Sequence, residues 1–185
     1  MKNTRRNFIK KTSLGTASVV VGALSPNFMI GRNILGANDR INCAIAGVRS
    51  RGKAHAAAIH LQKNANIVYS CDVDDEIIEE HNLWSKKNLG YIPKVEKDFR
   101  KLVENKDIDA IFIASPEHWH APMAIMAMQA GKHVYLEKPC SHNPHENDLL
   151  VAAQKKYGLK VQMGNQQRSA VTTIQAISDI RNGII

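Results

Sequence analysis

From residue 41 onward, short apolar runs alternate with stretches in which apolar residues recur every three or four positions. Near-continuous runs at 41–46, 67–70, 110–114, 134–136 and 160–163 suit strands buried on both faces. Between them lie helical patterns. These cover 53–63, 74–87 with Asp74 as N-cap, 98–104, 122–129 with Gly131 as the stop, and 143–157 capped by Asn143 and ended by Gly158. In the 74–87 helix, Ile77, Ile78 and Leu83 form the expected buried stripe. Residues 91–95, interrupted by Pro93, read as a loop or short strand, and 169–181 as a last helix ending at Asn182-Gly183. Strands separated by helices make βαβ units, whose right-handed crossovers place a parallel sheet between two helical layers. The predicted fold class is therefore α/β, a doubly wound parallel sheet over 41–185.

The first 36 residues follow a different pattern. Thr4-Arg5-Arg6-Asn7-Phe8-Ile9-Lys10 is followed by a weakly apolar stretch from Leu14 to Leu24, which Pro26 breaks. Paired arginines, a mild apolar core and a breaker in that order resemble a twin-arginine export signal; a basic tail with a short buried helix is the alternative. Cleavage is expected after Ala23-Leu24-Ser25 or near Ala37. The expected location is periplasmic or otherwise exported, with the twin-arginine translocation machinery as a partner.

Charge follows the same division. The chain of 185 residues carries a formal +8, of which residues 1–40 hold +6 and the remainder only +2. The basicity belongs to the leader, so no nucleic-acid partner is expected. No apolar run approaches the roughly 18 residues of a membrane span. Three cysteines are too few for a disulfide framework, and Cys43 and Cys71 fall in or at the end of apolar runs, as buried thiols do.

Candidate chemistry clusters at the ends of the predicted strands. Gly47-Val48-Arg49-Ser50-Arg51-Gly52 follows the first strand and opens a helix, the setting of a dinucleotide-binding G-x-G-x-x-G turn. Arg49 replaces the middle glycine. Its side chain fits if it turns outward or lies along the phosphates, and Arg49 and Arg51 add positive charge beside a helix N-terminus. Asp72 ends the second strand 20 residues beyond Gly52, where an acid accepts hydrogen bonds from a ribose and repels a 2′-phosphate. NAD is expected rather than NADP, although either arginine could serve a 2′-phosphate. After the 110–114 strand comes Ser115-Pro116-Glu117-His118-Trp119-His120, suited to contact with a ribose or nicotinamide. Neither these histidines nor His142 and His145 have structural-zinc spacing, and no metal is expected. Glu137-Lys138-Pro139 follows the 134–136 strand. Lys138 can hydrogen-bond a substrate hydroxyl and bias its proton loss, with Glu137 holding it by charge.

This ordered set resembles the Gfo/Idh/MocA family of nicotinamide-dependent sugar oxidoreductases. The resemblance spans 41–185 and adds Ala130-Gly131-Lys132-His133, Met163-Gly164-Asn165-Gln166-Gln167-Arg168 and the closing Ile180-Arg-Asn-Gly-Ile-Ile185. It implies a Rossmann-like domain, NAD as cofactor, and a sugar, cyclitol or related polyol as substrate. Lys138 is then the lysine that contacts substrate and nicotinamide, Pro116 and His120 line the cofactor, and Gln166 with Arg168 reaches the nicotinamide side. Family members carry a second, α+β domain with the general base and the sheet used for homo-oligomerisation. Against that pattern, the sequence reads as the cofactor half of a truncated protein. Two alternatives also follow from the resemblance: an NAD-dependent glycosidase with transient redox chemistry, or a non-catalytic dinucleotide-binding module.

Overall fold

In the computed structural model, which describes residues 40–184, the five apolar runs each give a strand and the end of the 91–95 segment gives a sixth. They are β1 (Ile41–Ala46), β2 (Ala65–Cys71), β3 (Lys94–Glu96), β4 (Ala110–Ile113), β5 (His133–Glu137) and β6 (Val161–Gly164). All pair in parallel in the order β3-β2-β1-β4-β5-β6. The helices are α1 (Ser50–His60), α2 (Asp75–Asn88), α3 (Phe99–Glu104), α4 (His120–Gln129), α5 (Pro144–Tyr157) and α6 (Val171–Arg181). Single tighter turns at Glu117–Trp119 and Gln166–Ser169 precede α4 and α6. The leader expected over 1–36 lies outside the described residues.

Period-two alternation divides the core between the two faces of the sheet. On one face Ala44, Ala46, Ile111, Ile113, Val134 and Leu136 pack with residues of α3, α4 and α5, among them Leu102, Met128 and Leu150. On the other face Cys43 and Ile45 pack with Ala56 and Ile59 of α1, joined by Ile77 and Trp84 of α2. Burial on both faces explains why the strands read as runs rather than alternations. A register shift between Cys43 and Ala44 leaves one extra residue on β2. Consequently Val68 and Tyr69 both pack toward the α3–α5 side, while Ile67 packs on the opposite one. Burial, with a smaller push from Asp109 and Asp72 respectively, raises the Cys43 and Cys71 thiols to about 12. They stay neutral and pack as small apolar groups.

The caps form as the sequence predicts. Asp74 accepts from the Glu76 and Ile77 N–H groups, Asn143 accepts from Glu146 N–H, and Gly158 ends α5 in the left-handed conformation. The buried stripe of α2 differs. Leu83 is exposed, and Ile78, His81 and Ser85 face inward. Spacing of i, i+3, i+7 is helical, but polar residues occupy two of its three places, so hydrophobicity alone misplaces it. Val171, Ile174, Ile177 and Ile180 of α6 are all exposed. Because β1 lies between β2 and β4, the chain reverses its direction of travel across the sheet there. The reversal opens a crevice at the carboxyl ends of β1 and β4, where α/β sheets bind ligands.

Candidate functional site

The turn after β1 is shaped by two close backbone approaches. Gly47 has φ +84°, and a Cβ there would lie 2.5 Å from the Ala114 carbonyl carbon and from Ser115 N. A Cβ on Gly52 would lie 2.2 Å from the Gly47 carbonyl oxygen. Glycine is thus required at both positions, first to fold the turn against β4 and then to seat α1 on it. Arg49, at the middle position, has an ordinary extended backbone and turns outward, with Nη2 3.5 Å from Asp74 Oδ2. That choice leaves the inside of the turn free of side chain.

Helix α1 starts without a side-chain cap and without an acid in its first turn, whereas α2, α3 and α5 are capped by Asp74, Asp98 and Asn143. Its open N–H groups and the positive end of its dipole face the glycine turn, which suits a pyrophosphate. Asp72 braces the turn from the side. Its Oδ2 accepts from Val48 N–H at 3.0 Å and its Oδ1 from Asp74 N–H at 3.3 Å. Each carboxylate oxygen retains acceptor capacity for a ribose hydroxyl.

A mostly apolar cleft of about 1090 Å³ adjoins these groups, lined by Gly47, Asp72, Val73, Ser115, Pro116 and Trp119 among others. Its size and apolar walls fit an adenosine with a few polar anchors. Ser115 donates from Oγ to Met123 Sδ at 3.3 Å. Trp119 is half exposed at the cleft. His120 is buried, with Nε2 2.8 Å from the Ser115 carbonyl and Nδ1 against the Pro139 carbonyl. Both ring nitrogens therefore face backbone carbonyls rather than the cleft. The residue staples the 115–120 loop to the Glu-Lys-Pro turn and offers the cleft no nitrogen.

At the end of β5 the structure corrects one expectation. Glu137 does not hold Lys138 by charge. The last strand residue points under α1 and is 3% exposed, while Lys138, joined to Pro139 by a cis peptide bond, is exposed. Glu137 Oε1 accepts from Arg51 Nη2 at 2.7 Å and lies 3.1 Å from His55 Nε2; Oε2 accepts from Lys138 N–H at 3.3 Å. Among the described contacts none engages the Lys138 ammonium. Arg51 is likewise turned from the phosphate position. With its carboxamide oxygen facing inward, Gln166 accepts from Arg51 Nη1, Nη2 and Nε at 2.5–3.0 Å. Arg168, on the same turn as Gln166, is exposed.

Burial disfavours the charged form of Glu137. The Arg51 hydrogen bond and charge, aided by His55, outweigh it and hold the carboxyl below its ordinary value. Burial first, and Arg51 as well, keep His55 below its ordinary value, against the opposing pull of Glu137. Sequence reasoning missed His55. The signal was present, since Gly52, His55, Ala56 and Ile59 share the sheet-facing side of α1 at helical spacing.

Comparison with known proteins decides the family. Residues 41–165 match the Gfo/Idh/MocA model, described as an oxidoreductase family with an NAD-binding Rossmann fold. The chain belongs to this family. The scyllo-inositol dehydrogenase of Lactobacillus casei, solved with bound NAD(H) and scyllo-inositol, superimposes with a TM-score of 0.68 at 30% identity, over 79% of this chain and 42% of that one. The myo-inositol 2-dehydrogenase of Lactobacillus plantarum gives a TM-score of 0.69 at 28% identity, over 79% and 42%. A glycosyl hydrolase family 109 protein of Shewanella pealeana is 29% identical over 202 aligned residues, which take in all of this chain and 44% of that protein. The chain thus spans less than half the length of these relatives. This Gfo/Idh/MocA domain is an NAD-binding Rossmann domain. Its open α1 terminus, Asp72 and apolar cleft fit the pyrophosphate, ribose and adenine of that cofactor.

Proposed function

We propose that this domain serves an exported NAD-dependent oxidoreductase acting on a sugar, cyclitol or related polyol. The observation that carries the reading is Lys138, exposed at the end of β5 with no described partner for its ammonium, in a domain that binds NAD. Bound NAD supplies a hydride acceptor at the nicotinamide ring. Gly47 and Gly52 shape the turn that would hold the pyrophosphate, Asp72 would accept from the ribose, and Pro116 and Trp119 would wall the cleft. Lys138 hydrogen-bonds the substrate hydroxyl and draws off negative charge as its proton leaves.

A second reading has its own support. The family 109 glycosyl hydrolase match covers the whole chain, the N-terminal 36 residues included, whereas the inositol dehydrogenase structures cover 79%. A glycosidase that oxidises its sugar transiently would cleave glycosides without accumulating NADH. The test is to screen the complete gene product against aldoses, inositols and aryl glycosides, following NADH and released aglycone together. Net NADH supports the oxidoreductase, and aglycone release without NADH supports the glycosidase. In either case Lys138→Ala should lower kcat by about 10²–10⁴-fold. Unchanged turnover in that variant would remove Lys138 from the mechanism.

A further inference from the structure

Under the Glu-Lys-Pro turn lies a polar cluster that no contact with the cleft explains. Glu137 and His55 are 3% and 6% exposed. Arg51 and His55 come from the first turns of α1, Glu137 from the end of β5, and Gln166 from the turn after β6. The His55 ring is held edge-on to Tyr135, with centroids 5.1 Å apart, and Tyr135 stacks on Phe112 at 5.1 Å. Gly164 leaves room for the group: a Cβ there would lie 2.7 Å from the Tyr135 hydroxyl and 3.0 Å from Glu137 Oε1.

We propose that Glu137 and His55 are positioning residues for the nicotinamide half of the cofactor, locking α1 to the ends of β5 and β6 and keeping Lys138 unpaired beside it. Three features support this. First, the cluster spans the two parts of the sheet that a dinucleotide straddles: α1 bears the pyrophosphate turn, and β5 and β6 lie on the nicotinamide side of the β1–β4 reversal. Second, Glu137 directs both carboxylate oxygens inward and holds the Lys138 backbone N–H, which fixes the turn without neutralising the ammonium. Third, burying the Glu137 carboxylate against a half-exposed Arg51 is a poor device for stability alone, because an apolar residue of similar volume serves as well. Arg51 and Gln166 complete the lock, so Arg51 acts on the cofactor through Glu137 rather than by touching a phosphate.

The test compares NAD with ADP-ribose, which lacks only the nicotinamide, by calorimetric titration of the full chain. The unaltered chain should prefer NAD. Glu137→Gln, which keeps an acceptor but loses the charge, and His55→Phe, which keeps the ring but loses Nε2, should each cut that preference by about tenfold. ADP-ribose affinity should change by less than about twofold, since α1 and Asp72 remain in place. His55→Gln restores a donor toward Glu137 and should recover most of the preference. A purely structural cluster would instead weaken both ligands together, with a lower melting temperature. That result, an unchanged preference in both variants, or no preference in the unaltered chain would each overturn the proposal. If Glu137→Gln does not melt cooperatively, the two His55 variants decide.

Discussion

Asp72 has two tasks that its substitution would separate. It braces the Val48 N–H of the glycine turn, and it faces the cleft where a ribose diol would donate to it. Removing a charged acceptor costs about 1.5–3 kcal/mol per hydrogen bond. Asp72→Ala should therefore weaken NAD by about tenfold or more. NADP should lose less, because the same change removes a charge that repels its 2′-phosphate. The gap between the two cofactors narrows, and calorimetry on both measures it. Tighter NADP binding by the unaltered chain would reject the assignment and turn attention to Arg49, whose guanidinium lies at the mouth of the turn against Asp74.

At the scale of elements, α2 carries an acid-sensitive side. His81 is fully buried, with Nδ1 3.4 Å from Ser85 Oγ and no partner for Nε2. Burial, with a contribution from Lys53, pushes it from 6.5 down to about 4 against the opposing pull of Asp72. The folded state thus binds fewer protons than the unfolded state between those values, and stability falls as pH drops through that window. It is complete above about 6.5, and up to about 3 kcal/mol is lost by pH 4. His55 acts with the same sign. In urea titrations across pH 7 to 4, His81→Leu should reduce the slope without abolishing it; an unchanged slope would exclude His81 as the source. The same helix shows what the sequence reveals. Its cap at Asp74 is legible because a short carboxylate before a helix has one favourable use, and the strand runs are legible because both sheet faces are covered. Leu83 is misread because His81 and Ser85 take the inward places, and an inward polar residue mimics an outward one in the hydrophobic pattern. At the site, the glycine positions and Asp72 follow from spacing. The turning of Glu137 under α1, and the recruitment of Arg51, His55 and Gln166 to it, depend on long-range contacts such as Arg51–Glu137, 86 positions apart along the chain, which no local pattern encodes.

On the scale of the whole molecule, export is the prediction that concerns the protein's surroundings. If residues 1–36 are a twin-arginine leader, replacing Arg5 and Arg6 with Lys should block delivery of a folded reporter fused after residue 40. Equal periplasmic delivery by the double variant would show that the segment does something else. A folded cargo raises the question of when folding can finish, and the strand order answers it. Gly47 closes its turn against Ala114 and Ser115, because β1 pairs with β4 rather than ending beside β2 alone. That wall of the cofactor turn is synthesised 67 to 68 residues after the glycine it supports. At about 5–20 residues per second, the nascent chain waits roughly 3–14 seconds with its glycine turn unsupported. If residues 1–36 are such a leader, they emerge first and the pocket is completed late, so a pathway that accepted unfolded chains would compete with NAD for this protein throughout that interval.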